Sequence, residues 1–272
     1  MAQTIQLTDG QQCHALTAGR GRPLLFIHGL PGQGSDFLAL ATRLAIHHQC
    51  ILLDRPGYGQ STLKYASRTM SVERAAQDVS DILEQLDLQN VVLVGWSYGG
   101  HIVAEVCGLS PARVTATVLI GSAGPSLRWP INILDRMLFH SGLGNQALNF
   151  VKRRVPGVIV NELNAAIGQK APQPLIDEFL AHLNRPDMIS NWLREAAVWQ
   201  PSTMQPQSIA QPCLILHGKD DTRIPIEVAY DTAGEIAHAR FIEIAEAGHW
   251  PFLTHTQEVE EAMVSFLSST QG

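Results

Sequence analysis

Short runs that are apolar at every position, rather than at alternate ones, most constrain how this chain can fold. Pro23 to Ile27 reads PLLFI, Cys50 to Leu53 reads CILL, Val91 to Val94 reads VVLV and Cys213 to Leu216 reads CLIL. A strand with one face in water alternates apolar and polar residues, whereas a continuous apolar run suits a strand covered on both faces. Stretches of helical spacing separate these runs: Asp36 to Ala45, with Leu38, Leu40 and Leu44, then Val72 to Leu86 behind Ser71 as N-cap, then His101 to Leu109. Further strands over Val114 to Ile120 and Arg240 to Ile244, with helices over Ile226 to Ile236 and Gln257 to Leu267, continue the pattern. Strand and helix in alternation predict an α/β fold, a mostly parallel sheet flanked by helices.

The rhythm changes after Gly121. From Arg128 to Gln200 the chain reads as short helices punctuated by Pro130, Pro156, Pro172, Pro174 and Pro186, and it holds three of the five tryptophans. With 272 residues, the chain is near the size at which one core stops growing. The expected organisation is a sheet domain over 1–127 and 201–272, interrupted by a helical insertion over 128–200. Apolar residues of the insertion, Trp129, Met137, Phe139, Phe150, Phe179, Met188, Trp192 and Trp199, are candidates either for a pocket lining or for packing onto the sheet domain.

Charge and composition narrow the partners. The net charge is −6 and the longest basic run is Lys152-Arg153-Arg154, read as a solvated helix end, so no nucleic-acid partner is expected. No apolar run approaches the about 18 residues of a membrane span. Met1-Ala2-Gln3-Thr4-Ile5-Gln6 lacks the basic start and apolar stretch of a secretory signal. Cys13, Cys50, Cys107 and Cys213 show no CxxC spacing, as expected of reduced structural thiols in a cytoplasmic protein. Apart from His28 and His249, the remaining histidines, His47, His48, His101 and His140 among them, are read as surface or packing residues with no paired spacing to acids or cysteines, so no metal is expected. The oligomeric state, monomer or homodimer, is left open by the absence of an apolar stripe.

Four motifs carry chemistry, each at a strand end. Gly95-Trp96-Ser97-Tyr98-Gly99 fits G-x-S-x-G between a strand and a helix, a sharp turn that exposes a serine hydroxyl as a nucleophile. His28-Gly29-Leu30-Pro31-Gly32 follows the PLLFI run, and acyl transfer needs two preorganised N–H donors for its oxyanion. Tyr98, after the serine, would supply one; Leu30, just after the His-Gly turn, would supply the other, on a loop stiffened by Pro31, which has no N–H to donate. His28 reads as a buried turn residue. In Gly218-Lys219-Asp220-Asp221-Thr222-Arg223-Ile224-Pro225, two adjacent acids compete for the role of a supporting carboxylate. Finally, Ala247-Gly248-His249-Trp250 places a histidine at the end of the last strand, and serine, acid, histidine is the order a strand-turn-helix nucleophile site uses.

Taken as a set, these motifs resemble the α/β-hydrolase superfamily over essentially the whole chain. The resemblance implies an eight-stranded, mostly parallel sheet with a helical cap over Ser97. Relatives take their acid from G-x-x-D-x-x-x-P, which between Gly218 and Pro225 falls on Asp221 and not Asp220. Asp54-Arg55-Pro56-Gly57-Tyr58-Gly59 is similar to the family's structural D-x-P-G-x-G loop. The implied catalytic residues are Ser97, Asp221 and His249, with Leu30 and Tyr98 as oxyanion donors; Trp96, Trp129 and Trp250 are candidate substrate contacts. No cofactor is implied. An aspartate nucleophile, as in haloalkane dehalogenases and epoxide hydrolases, is replaced here by Ser97. The short HG-x oxyanion loop favours a carboxylesterase for small to medium acyl esters. Trp250 after the histidine is shared with carbon–carbon hydrolases of aromatic ring-cleavage products, although those usually carry N-S-M-G-G at the elbow. Leu30-Pro31 is similar to the HG-F-P loop of cofactor-free haloperoxidases, which makes perhydrolysis (perhydrolase chemistry) an alternative. Thioesterase and lactonase chemistry also stay open, whereas a non-enzymatic, receptor-like member of the fold is disfavoured by the presence of all three triad candidates.

Overall fold

A computed structural model describes residues 1–128 and 143–270. Its eight strands are β1 (Ala2–Gln6), β2 (Gln12–Ala18), β3 (Pro23–Ile27), β4 (Gln49–Leu53), β5 (Val91–Trp96), β6 (Val114–Ile120), β7 (Cys213–Gly218) and β8 (Ala239–Ile244). They form one sheet in the order β1-β2-β4-β3-β5-β6-β7-β8. Pairing is antiparallel between β1 and β2 and between β2 and β4, and parallel from β4 to β8. The apolar runs are the buried parallel strands, as their composition requires. By contrast, β1 and β2 do not stand out in the sequence, because only alternate positions (Ile5, Cys13, Ala15) are buried.

Successive residues of each central strand point to opposite faces, so each strand feeds two cores. Leu25, Ile27, Val91 and Leu93 pack with α2 (Val72–Gln85) and α3 (Tyr98–Leu109). Leu24, Phe26, Val92 and Val94 pack against α1 (Leu38–Leu44) and the C-terminal helix. Ser71 caps α2 as expected, its hydroxyl accepting from the Arg74 N–H at 3.3 Å. The helix expected from Asp36 is divided: a 3-10 turn over Gly34–Phe37 precedes α1, with Asp36 Oδ2 accepting the Gln33 N–H at 2.9 Å.

Between β6 and β7 lie α4 (Leu143–Arg154), α5 (Pro156–Ile167), α6 (Gln173–Leu183) and α7 (Met188–Val198). Lys152, Arg153 and Arg154 form the last turn of α4, where positive charge suits the helix dipole. After β7 come α8 (Ile226–Glu235), the short α9 (Pro251–Thr254) and α10 (Thr256–Ser269). Of the insertion residues singled out above, Trp129, Met137 and Phe139 lie outside the described residues, as does His140. Phe150 is exposed, whereas Met188 packs with Tyr58 and Met70, and Trp199 packs edge-on to Tyr98. Those two insertion residues therefore serve the joint with the sheet domain. All four cysteines are buried free thiols.

Parallel register aligns the strand ends. Ile27 pairs with Gly95, Trp96 with Ile120, Ile120 with Leu216, and Gly218 with Ile244. The loops that follow β3, β5, β7 and β8 therefore emerge along one carboxyl edge, the place where open α/β sheets bind ligands.

Candidate active site

Ser97 follows β5 directly and precedes α3. Its backbone sits at φ 54° and ψ −120°, a conformation costly for a residue with a side chain, on the order of 1–3 kcal/mol. The surroundings enforce it: the Ser97 N–H donates to the Ile120 carbonyl at 3.0 Å, and the Ser97 carbonyl accepts from Gly100 at 3.1 Å and Ala123 at 3.3 Å. The flanking glycines are dictated by space. A Cβ on Gly95 would lie 2.6 Å from the Gly99 carbonyl oxygen, and one on Gly99 would lie 2.2 Å from that of Ile27. The G-x-S-x-G spacing is thus the imprint of a strand, a turn and a helix packed at backbone contact.

At the ends of β7 and β8, His249 Nδ1 lies 2.7 Å from Asp221 Oδ2. The other carboxylate oxygen of Asp221 accepts the backbone N–H groups of Arg223 at 2.7 Å and Ile224 at 2.9 Å. Burial alone would raise the Asp221 carboxyl, but His249, His217 and the Ile224 N–H outweigh it and hold the group below its ordinary value. Of the two adjacent acids, Asp220 is exposed and meets the site through its backbone N–H, which donates to Ala247. The pair also adjoins the elbow: a Cβ on Gly121, the residue after Ile120, would come 3.4 Å from His249 Nδ1 and 3.6 Å from Asp221 Oδ2.

His217 corrects the reading that the remaining histidines have no acidic partner. Its Nε2 donates to the Ile224 carbonyl at 2.8 Å and stands 3.4 Å from Asp221 Oδ2, so Asp221 faces two imidazoles. Burial lowers the His217 pKa below its ordinary value, against the pull of Asp221. The i,i+4 spacing of His217 and Asp221 was the available signal. His14, with Nδ1 2.9 Å from Asp54 Oδ2, and His101, with Nε2 3.9 Å from Glu105 Oε1 one helical turn on, are two further such pairings.

The loop after β3 passes against the elbow, close enough that a Cβ on Gly29 would sit 2.9 Å from that of Ser97. His28 is the buried turn residue expected. Its Nδ1 donates to the Gly29 carbonyl at 2.8 Å, and its Nε2 accepts the Arg55 N–H at 3.2 Å. Burial and the nearby Arg55 charge push its pKa well down, consistent with that neutral tautomer. Leu30 follows on this loop, and Tyr98 opens α3.

The tryptophans divide. Trp96 is 2% exposed, enclosed by Phe37, Trp250 and Phe252, and its indole N–H donates to the His249 carbonyl. That corrects its place among the substrate contacts: it is a buried support beneath His249. Trp250 lines a small cavity with Pro31, Phe179 and His182 under α6. Trp129 falls outside the described residues. The insertion also touches the histidine loop, where the His249 N–H donates to the Ala166 carbonyl of α5 at 2.7 Å. Among the described residues there is no cluster of His, Cys, Asp or Glu suited to a metal ion, and no helix long and apolar enough to cross a membrane.

Comparison with known proteins agrees with this architecture. The chain is 27% identical to a 2-hydroxy-6-oxononadienedioate/2-hydroxy-6-oxononatrienedioate hydrolase of Paraburkholderia xenovorans (strain LB400), over 97% of this chain and 93% of that protein. It is 28% identical to a pimeloyl-[acyl-carrier protein] methyl ester esterase of Xanthomonas axonopodis pv. citri (strain 306), over 94% and 99% respectively. Among solved structures, an esterase from Exiguobacterium antarcticum superposes with a TM-score of 0.82 at 25% identity, covering 98% of this chain and all of that one. The profile described as alpha/beta hydrolase fold matches residues 22–256. With that match and the eight-stranded sheet that carries the elbow, the chain belongs to the α/β-hydrolase fold family.

Proposed function

We propose that this protein is a serine hydrolase that cleaves small to medium carboxylic esters through an acyl-enzyme on Ser97. The observation that carries the reading is the hydrogen bond between His249 and Asp221, made at the same sheet edge as the strained Ser97 turn. In this reading Asp221 orients the imidazole with its proton on Nδ1, leaving Nε2 to take the Ser97 proton. The Ser97 oxygen attacks the acyl carbonyl, and the backbone N–H groups of Leu30 and Tyr98 receive the oxyanion. His249 then returns the proton to the leaving alcohol. Water, deprotonated by the same imidazole, adds to the acyl-enzyme and releases the acid and Ser97. The described helices of the insertion, α4 to α7, act as a cap over Ser97, a role supported by the contact of α5 with the histidine loop.

A second reading is carbon–carbon hydrolysis of a ring-fission product. Trp250 beside His249 and the similarity to the Paraburkholderia enzyme favour it. Against it stand Trp96 and Tyr98 where such enzymes usually have Asn and Met. A panel of p-nitrophenyl esters from acetate to palmitate, run beside a vinylogous 1,5-diketone with wild type and Ser97→Ala, separates the two. A short-to-medium optimum that vanishes in the variant supports the esterase. Slow ester turnover with fast diketone cleavage replaces it with the second reading.

A further inference from the structure

The Leu30 N–H and the Gly29 carbonyl are two ends of one planar peptide unit, so whatever holds the carbonyl also aims the N–H in the opposite direction. Two donors hold it. His28 Nδ1 lies 2.8 Å from the Gly29 oxygen and Arg55 Nη2 lies 3.2 Å from it. The Arg55 guanidinium is itself fixed from the insertion, where Nη1 meets Glu195 Oε1 of α7 at 2.7 Å. The second Glu195 oxygen accepts the Tyr58 hydroxyl at 2.5 Å. The guanidinium carbon also lies 4.5 Å from the Tyr58 ring centre and 5.0 Å from that of Tyr98. One cation therefore touches both segments that carry the proposed oxyanion donors.

Stability is a weak reason to bury such a pair. Arg55 is 2% exposed and Glu195 is 1% exposed. Desolvating two charges costs about as much as their attraction returns, and apolar replacements of similar volume are often neutral or better. A reason that survives this comparison is position: a fork of donors fixed at one end by Glu195 sets the plane of the Gly29–Leu30 peptide. A cation on the carbonyl also polarises the amide and strengthens its N–H as a donor.

We propose that Arg55 and Glu195 are positioning residues for the oxyanion site, through which the seating of α7 on the sheet domain sets the aim and strength of the Leu30 N–H. The inference rests on the serine-hydrolase reading above.

The test compares an oxoester with its thionoester, whose sulfur accepts hydrogen bonds weakly and so gains little from a well-aimed donor. In the paired variant Arg55→Met/Glu195→Leu no charge is stranded. We expect its oxoester kcat to fall about 10-fold, less than the loss on removing an oxyanion donor outright, with KM and thionoester kcat within about 2-fold of wild type. Should the paired variant not fold, Arg55→Lys keeps the charge opposite Glu195 but cannot bridge to Gly29 as a fork does, and the same selective loss is expected. Equal losses on both esters, or no loss on either, would overturn the inference while leaving the hydrolase reading intact. A wild-type enzyme without Ser97-dependent turnover would remove that reading, and this inference with it.

Discussion

The indole N–H of Trp96 donates to the backbone carbonyl of His249 at 2.9 Å. Strand β5 and the loop after β8 are thereby tied one residue away from Ser97 and at His249 itself. Trp96→Phe keeps most of the ring packing but leaves that buried carbonyl without its donor, at a cost of about 1–3 kcal/mol. The expected outcome is a Tm lower by several degrees and a kcat reduced several-fold with KM little changed. Thermal unfolding and ester kinetics on the same preparation check both.

Asp220 and Asp221 are chemically identical and adjacent, yet only Asp221 meets His249. Asp221→Asn should reduce kcat by about three to four orders of magnitude, because an amide no longer selects the imidazole tautomer that leaves Nε2 free. Asp220→Asn should stay within about twofold of wild type, as expected of an exposed side chain. Steady-state kinetics of the two variants decide the matter, and the reverse ranking would make Asp220 the acid.

Space at two glycines predicts opposite outcomes. A methyl at Gly29 would meet the Cβ of Ser97 at 2.9 Å and the Trp96 ring at 3.0 Å, so Gly29→Ala must push the loop off the elbow. A stability loss of about 1–3 kcal/mol and a larger proportional loss of kcat are expected. Gly108, near the end of α3, has nothing within 4 Å of such a methyl. Gly108→Ala should leave activity unchanged and stabilise by about 0.5–1 kcal/mol, read from denaturant midpoints.

Asp36 carries a pH signature. Removal of its carboxyl from water pushes its pKa from 3.8 up to about 8, aided by Glu178 and Asp54 and opposed by the Gln33 N–H. Because the fold favours the neutral acid, this contribution to stability is full below pH 3.8 and is lost as pH rises through about 8. Asp36→Asn imitates the neutral acid and should flatten the decline. Thermal scans should show the variant above wild type at pH 9, with the gap closing toward pH 4.

Much of the fold was legible because buried parallel strands write themselves as continuous apolar runs, as in Leu24–Ile27 and Val91–Val94. The half-buried β1 and β2 left only a weak alternation. Local spacing also singled out Ser97, since tight backbone packing at an elbow demands its glycines, and a place at the end of the last strand singled out His249. The choice between the two aspartates needed the family pattern, because nothing local distinguishes adjacent acids in a turn. His217 was passed over although Asp221 lies only four residues on. The Arg55–Glu195 pair was beyond reach, since its partners lie far apart in the sequence and meet only when α7 packs onto the D-x-P-G-x-G loop. Trp96 was misplaced for a related reason: neighbourhood to the nucleophile in sequence says nothing about which side of the sheet edge a side chain occupies.

The central claim is that Ser97 is a nucleophile activated by His249. Its most direct test is mass spectrometry of peptides from protein treated with an organophosphonate ester. We expect one adduct, on the peptide that contains Ser97, absent in Ser97→Ala and slowed at least about 100-fold in His249→Ala. An intact Ser97 peptide after treatment, or labelling at an undiminished rate without His249, would contradict it.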